Sequence, residues 1–413
     1  MTVSHLHNSI WKENRRFPVL FFKTVYYLYG LNPPFMRSGV DSMEHEQNIT
    51  TVERMMLSRA AANGRPLNGS LELLPLCNMN CDMCYIRLSP EEMKKRGRLH
   101  TAEEWIRLAG EMEEAGVLFL LLTGGEPLLF QDFRRLYQEL RQMGMILTIN
   151  TNGTLLDEDW ADFFGRYRPR RINITLYGKD DTAYETLCHY PGGFAKALRA
   201  IRLLKEREVD VKINGSVTKN NRKDMEAIYR IGQELDVPVH MDTYMLPGIH
   251  ERGKPFEEQA RLEPEEAAAA ELEVMRTEWD RESFFAYVRE MNRQLKEEKK
   301  VYPDRISCMA GNCSFTINWQ GEMRPCVTLE EPGVPVFATG FETAWQEIRT
   351  RSKEFQMNPK CRKCRLRPVC KTCVACAKLE TGEYGGLPEY LCRYAKEYGK
   401  LIEEEWRKIF QGY

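Results

Sequence analysis

The chain has no excess charge of either sign: 59 Lys and Arg stand against 60 Asp and Glu, a formal net charge of −1 over 413 residues. That balance removes any global electrostatic reason to expect nucleic acid or an anionic membrane as partner. The sequence also lacks an apolar run long enough to span a bilayer. The nearest approach is Phe17–Leu31, which follows Lys12, Arg15 and Arg16 in the manner of a secretory signal. Lys23 interrupts it and no A-x-A-like cleavage site follows, so it reads as a helix that packs on the main body or a partner, with membrane contact disfavoured. Internal repeats and low-complexity tracts are absent. Cysteine is not scarce, but the even spread of a disulfide framework is missing. Of thirteen cysteines, three fall between 77 and 84, nine between 308 and 392, and Cys188 stands alone as a buried thiol. Clustered CxxC-type spacings in a large chain favour metal over disulfides. Thiolate-bound iron needs a reducing compartment, which places the protein in the cytoplasm.

Three regions follow from composition. Residues 1–68 form a mostly helical accessory region, with a Pro33–Pro34 break, a short helix at Thr51–Ala62, and turns at Asn63-Gly64 and Asn68-Gly69. Residues 69–300 alternate short apolar runs with amphipathic helices. The runs are Leu71–Leu76, Val117–Leu122, Ile146–Asn150, Arg171–Leu176, Val209–Val217 and Val237–Met245. The second, VLFLLL, is apolar throughout, as in a parallel strand buried on both faces. Helices are expected near 101–115, 131–143, 157–164, 194–206 and 222–235, the first opened by a Thr101/Glu104 capping box. Six strand–helix repeats with short loops make an α/β fold, a partial (β/α)6 TIM-like barrel whose sites lie at the C-terminal strand ends. Residues 263–300 read as one helix, with Pro264 at its first position and Glu265 and Glu266 complementing its dipole. Residues 301–413 form a small cysteine-rich domain with a hairpin, Phe315–Trp319 and Met323–Val327, turned at Gln320-Gly321.

Cys77, Cys81 and Cys84 follow the first strand with C-x3-C-x2-C spacing. Such a loop can bend three thiolates onto three corners of one cubane. A four-iron cluster normally takes four cysteines, so three leave one iron open, as catalytic zinc keeps an open position. A three-cysteine zinc site is the plain alternative. Thr123-Gly124-Gly125-Glu126-Pro127 follows the second strand, Asn150-Thr-Asn152-Gly153 the third, Thr175-Leu-Tyr177-Gly178 the fourth, and Asn214 to Ser216 lie in the fifth.

These motifs, in this order, resemble the radical S-adenosylmethionine (radical SAM) superfamily. Its hallmark is C-x3-C-x-aromatic-C; here Met83 takes the aromatic position and Tyr85 follows the last cysteine. The resemblance implies a [4Fe-4S] cluster whose open iron binds the methionine moiety of S-adenosylmethionine, and whose electron releases a 5′-deoxyadenosyl radical that abstracts a substrate hydrogen. It implies that Glu126 of a GGEP motif pairs with the methionine ammonium, with Gly124 and Gly125 permitting close backbone approach. Thr175 would keep a hydroxyl for ribose or carboxylate, although Tyr177 stands where the family's S-x-D-G segment has Asp. Tyr85, Asn152, Asn214 and Ser216 complete the implied cofactor contacts; the two asparagines read equally well as strand-end hydrogen-bonding residues.

The late cysteines resemble the SPASM domain of many radical SAM enzymes, so that the combined resemblance covers residues 70–395. A zinc ribbon would use four of the nine and leave five idle. By resemblance, Cys308, Cys313, Cys326 and Cys373 hold one auxiliary [4Fe-4S] cluster, and Cys361, Cys364, Cys370 and Cys392 another. The pattern's x3 position is Val374, so either Cys373 or Cys376 serves; Cys373 is preferred because C-x2-C is a compact chelating step. SPASM-bearing enzymes mostly modify peptides or proteins, which implies a ribosomally made peptide as substrate, for crosslinking, thioether formation or epimerisation, and a flavodoxin- or ferredoxin-like electron donor. Val327 after Cys326 replaces the Asp of the sulfatase-maturing branch and counts against protein oxidation of that type. Small-molecule radical chemistry is the alternative within the family. A non-catalytic metal-binding or electron-transfer protein is the alternative outside it, disfavoured because an electron carrier has no need of an open iron or of Glu126.

Overall fold

The computed structural model describes residues 51–246, 260–297 and 301–411. The expected helix at 17–31 therefore lies outside the described residues. Nine strands form one sheet: β1 (Asn68–Glu72), β2 (Phe119–Thr123), β3 (Ile146–Thr151), β4 (Arg171–Thr175), β5 (Val211–Ser216), β6 (Val239–Asp242), β7 (Ser314–Ile317), β8 (Glu322–Arg324) and β9 (Val334–Pro335). Their order is β6-β5-β4-β3-β2-β1-β7-β8-β9. β1 to β6 run parallel, each followed by a helical crossover, as in an incomplete barrel. β7 adds parallel to β1, and β8 and β9 return antiparallel.

Alternation within each strand sorts core from lumen. Ile172 and Ile174 of β4, and Leu147 and Ile149 of β3, are buried beneath the helices. The intervening Thr148 and Asn150, Asn173 and Thr175, and Asn214 and Ser216 are half-buried on the opposite face. The inner face is therefore polar and suits a solvated ligand. The open edge is closed by helix Pro264–Glu278. Glu278 accepts hydrogen bonds from the Met241 amide at 3.1 Å and the Tyr229 hydroxyl at 2.6 Å, and its other oxygen meets His240 Nδ1 at 2.9 Å. A carboxylate thus occupies a donor that an edge strand would leave unpaired.

Two expectations change. Asn68-Gly69 is no turn but the start of β1, paired with both β2 and β7. The glycine is there for space, since a β-carbon would lie 2.4 Å from the Phe315 ring. The single helix over 263–300 is two, Pro264–Glu278 and Arg281–Lys296. Trp279 is extended, and Asp280 caps the second helix by accepting from the Ser283 amide at 2.9 Å. The hairpin, shorter than expected, turns through Asn318–Gly321. The helices Pro90–Arg96, Asp181–Cys188, Phe341–Ser352 and Glu389–Phe410 complete the main body. No helix among the described residues is long and apolar enough to cross a membrane.

Candidate active site

The Cys77–Cys84 loop leaves the C-terminal end of β1 and is fastened at both flanks by backbone hydrogen bonds. On one side the Gly125 amide donates to Leu74 O at 2.7 Å and the Glu126 amide to Leu76 O at 2.9 Å. A β-carbon at Gly125 would stand 2.2 Å from Leu76 O. The glycine pair thus lets the second strand's end press against the chain entering Cys77. On the other side, the amides of Asn80 and Asp82 donate to Cys188 O and Leu187 O, both at 3.0 Å. The last carbonyls of helix Asp181–Cys188, lacking intrahelical partners, are satisfied by the loop. Asp82 also pairs with His189 at 2.8 Å.

Glu126 sits beneath this loop, fully buried. Its carboxylate accepts from the Thr151 hydroxyl (2.7 Å), the Asn152 amide (2.8 Å) and the Leu128 amide (3.1 Å). Burial pushes its carboxyl up to about 7, against those three donors. Asn152 carries the connection onward. Its Oδ1 accepts from the Thr154 amide and hydroxyl at 2.9 and 2.7 Å, which turns Nδ2 toward Asn78 Oδ1 at 2.9 Å and Cys77 Sγ at 3.6 Å. Asn78 Nδ2 in turn donates to the Thr154 hydroxyl at 2.8 Å. Asn78, Thr151 and Thr154 were not foreseen as site residues. Their positions gave the hint: Asn78 lies in the Cys77–Cys84 loop, Thr151 in the Asn-Thr-Asn-Gly strand end and Thr154 just past it.

The three thiols lie close enough to feel one another's charge. Burial pushes Cys77 up to about 12, and Glu126, Cys84 and Cys81 add to the rise. Thiolates so placed need a cation, and metal binding deprotonates a coordinating thiol outright. Amides already face two of the sulfurs: Met79 to Cys77 at 3.4 Å and Arg87 to Cys84 at 3.3 Å. The donor set therefore fits an iron–sulfur cluster. Among the described residues no three Cys, His, Asp or Glu groups converge tightly enough for a single metal ion.

The remaining candidates spread over the lumen. The Tyr85 hydroxyl donates to Glu72 at the end of β1, at 2.7 Å. Thr175 stands beside Asn214 in register, and Asn214 beside His240. Asn214 Oδ1 and Asn173 Oδ1 are buried and meet no hydrogen-bond partner among the described residues, leaving acceptors for an amino-bearing ligand. Ser216 O accepts from Asn221 Nδ2 at 2.9 Å. Tyr177 lies beside the loop, its hydroxyl held well above the ordinary range by burial and then by Cys81, Cys188 and Cys84.

All thirteen cysteines are among the described residues and none is in a disulfide. Cys361, Cys364, Cys370 and Cys392 form one electrostatic group: burial raises Cys361, Cys370 and Cys392, and each is raised further by others of the four. Cys313 precedes β7 and its carbonyl accepts from Leu67 and Asn68 at the start of β1. Cys326 follows the antiparallel β8, so both lie at the opposite end of the sheet from Cys77. Cys326, Cys361 and Cys373 pack on one apolar cluster of Leu329, Met357, Val374 and Ala375. Cys376 is buried against Tyr244 and Leu391, with its sulfur 3.5 Å from that of Cys373.

Known proteins similar to this chain fall in one superfamily. Residues 71–231 match the family model for the Radical SAM superfamily. An AdoMet-dependent heme synthase of Nitratidesulfovibrio vulgaris is 25% identical over 345 residues, 78% of this chain and 91% of that protein. A PqqA peptide cyclase of Rhodopseudomonas palustris is 24% identical over 277 residues, 66% of this chain and 70% of that one. The crystal structure of Streptococcus suis SuiB bound to precursor peptide SuiA shares the fold at TM-score 0.59 and 14% identity, covering 94% of this chain and 89% of that one.

Proposed function

We propose, from the premise that residues 71–231 form a radical SAM domain and the chain is an enzyme that uses S-adenosylmethionine, that it modifies a ribosomally made peptide. The observation that carries this reading is a second group of free cysteines, Cys361, Cys364, Cys370 and Cys392, in addition to a fastened three-cysteine loop. Cys77, Cys81 and Cys84 hold the catalytic cluster, which with S-adenosylmethionine supplies the hydrogen-abstracting radical. Glu126 and Asn152 fix the loop over the polar lumen, where Gly124, Gly125, Tyr85, Thr175, Asn214 and Ser216 line the cofactor's place. Asn173 and Asn214 offer acceptors. Cys361, Cys364, Cys370 and Cys392 take one auxiliary cluster. Cys308, Cys313, Cys326 and Cys373 take the other; the shared contact surface of Cys326 and Cys373 favours Cys373 over Cys376. The regions 1–68, 69–300 and 301–413 act as accessory, catalytic and auxiliary units in a reducing cytoplasm.

A second reading has its own support: the heme synthase relative aligns over 91% of its length. The two separate by experiment. The anaerobically reconstituted enzyme, with S-adenosylmethionine and reductant, is offered the peptide encoded beside its gene, and in parallel an iron porphyrin bearing propionates. The peptide should lose two hydrogens on crosslinking, or show an epimerised residue at unchanged mass. Porphyrin side-chain loss with an unaltered peptide would overturn the peptide reading.

A further inference from the structure

We infer that the basic helix Pro90–Arg96, just past the cluster loop, is the docking surface for a small acidic electron-transfer protein. The inference rests on the proposed function, since that chemistry needs a one-electron donor. In a chain of net charge −1, Lys94, Lys95, Arg96 and Arg98 form an exposed run. The acidic Glu91 and Glu92 are confined to the first turn. Glu92 is engaged by the Ser89 amide at 2.8 Å in a capping box, and Arg98 by a bidentate pair with Glu104 at 2.8 and 2.5 Å.

What lies beneath sets this run apart from an ordinary solvated face. Met93, on the helix's inner side, packs with Ile86, Leu88 and the fully buried Trp319, and Cys84 and Tyr85 lie against the same cluster. One apolar layer therefore separates the basic face from a sulfur of the catalytic loop. The platform is also pinned: Gln320 Nε2 donates to Arg96 O at 3.1 Å, and His100 Nε2 meets Gln320 O at 3.2 Å. A partner seated there would deliver one electron from its reduced centre to the cluster, its own centre being oxidised by one electron. Complementary charge would speed the encounter.

The alternative is that these charges only complement the helix dipole. The double variant Lys94→Glu/Lys95→Glu decides between them. Affinity for an acidic flavodoxin, read by anisotropy of a labelled flavodoxin at about 50 mM salt, should fall about tenfold or more, and wild-type affinity should fall steeply as salt rises. In turnover, 5′-deoxyadenosine formation driven by the reduced flavodoxin should slow by a similar factor, while the dithionite-driven rate stays within about twofold. Unchanged flavodoxin affinity would overturn the inference, as would equal loss in the flavodoxin and dithionite arms. Absence of any product from wild type with dithionite would count against the proposed function, and the binding comparison would still decide the docking surface.

Discussion

Glu126 shows how one side chain can serve two masters. A buried carboxylate is costly to ionise, yet here Thr151, Asn152 and Leu128 all donate to it. The outcome is a carboxyl lifted to about 7. A folded state that holds this proton more tightly than the unfolded chain loses stability as pH climbs from the ordinary carboxyl range, about 4.5, through about 7. Without S-adenosylmethionine, wild type should therefore weaken relative to Glu126→Gln across that interval, by on the order of 3 kcal/mol in urea titrations. A constant difference between the two proteins over the interval would show that Glu126 is ionised throughout. The role of Asn152 in joining Glu126 to Cys77 was illegible in the sequence, because each partner comes from a different strand end. Spacing gave the thiols, but only folding could bring Cys77 and Asn78 to the Asn152 side-chain amide.

At the scale of elements, legibility followed the strength of the local pattern. The apolar runs marked β2 to β5 within a few residues, because strands buried beneath helices cannot hide polar side chains on that face. Asn68-Gly69 misled, since its turn chemistry was overridden by pairing on both sides. The long charged stretch after Pro264 concealed a break, whose local sign was Asp280 three residues before Ser283. The packing of the Gly124-Gly125 motif against Leu74 and Leu76 was not legible in the sequence. Gly125→Ala should push the second strand's end off Leu76 O, costing about 1–3 kcal/mol, with a lower midpoint in urea and loss of iron from the first site before the others. Full iron content and an unshifted midpoint would refute the packing role.

Across the whole molecule, buried charges tie the barrel to the cysteine-rich region. Lys371, between Cys370 and Cys373, pairs with Glu271 at 2.7 Å, and Arg261 pairs with Glu380. Burial pushes the Glu271 carboxyl up, but Lys371 and Thr243 outweigh it and hold the group below its ordinary range. The Tyr244 hydroxyl donates to Glu380 at 2.9 Å, and Tyr390 stacks on the Arg261 guanidinium at 3.3 Å. The segment carrying Cys370, Cys373 and Cys376 is thus set against the end of β6 by pairs whose loss would leave buried charge unpaired. With β7 joined to β1, the catalytic loop and the late cysteines are held in one framework. The central claim is that Cys77, Cys81 and Cys84 work as the single catalytic cluster of that framework. It is tested by incubating anaerobically purified wild type and Cys81→Ala with S-adenosylmethionine and dithionite, measuring 5′-deoxyadenosine and bound iron. The account predicts product from a brown wild-type protein, and none from a variant that keeps most of its iron. A colourless zinc protein, or product formed equally by the variant, would contradict it.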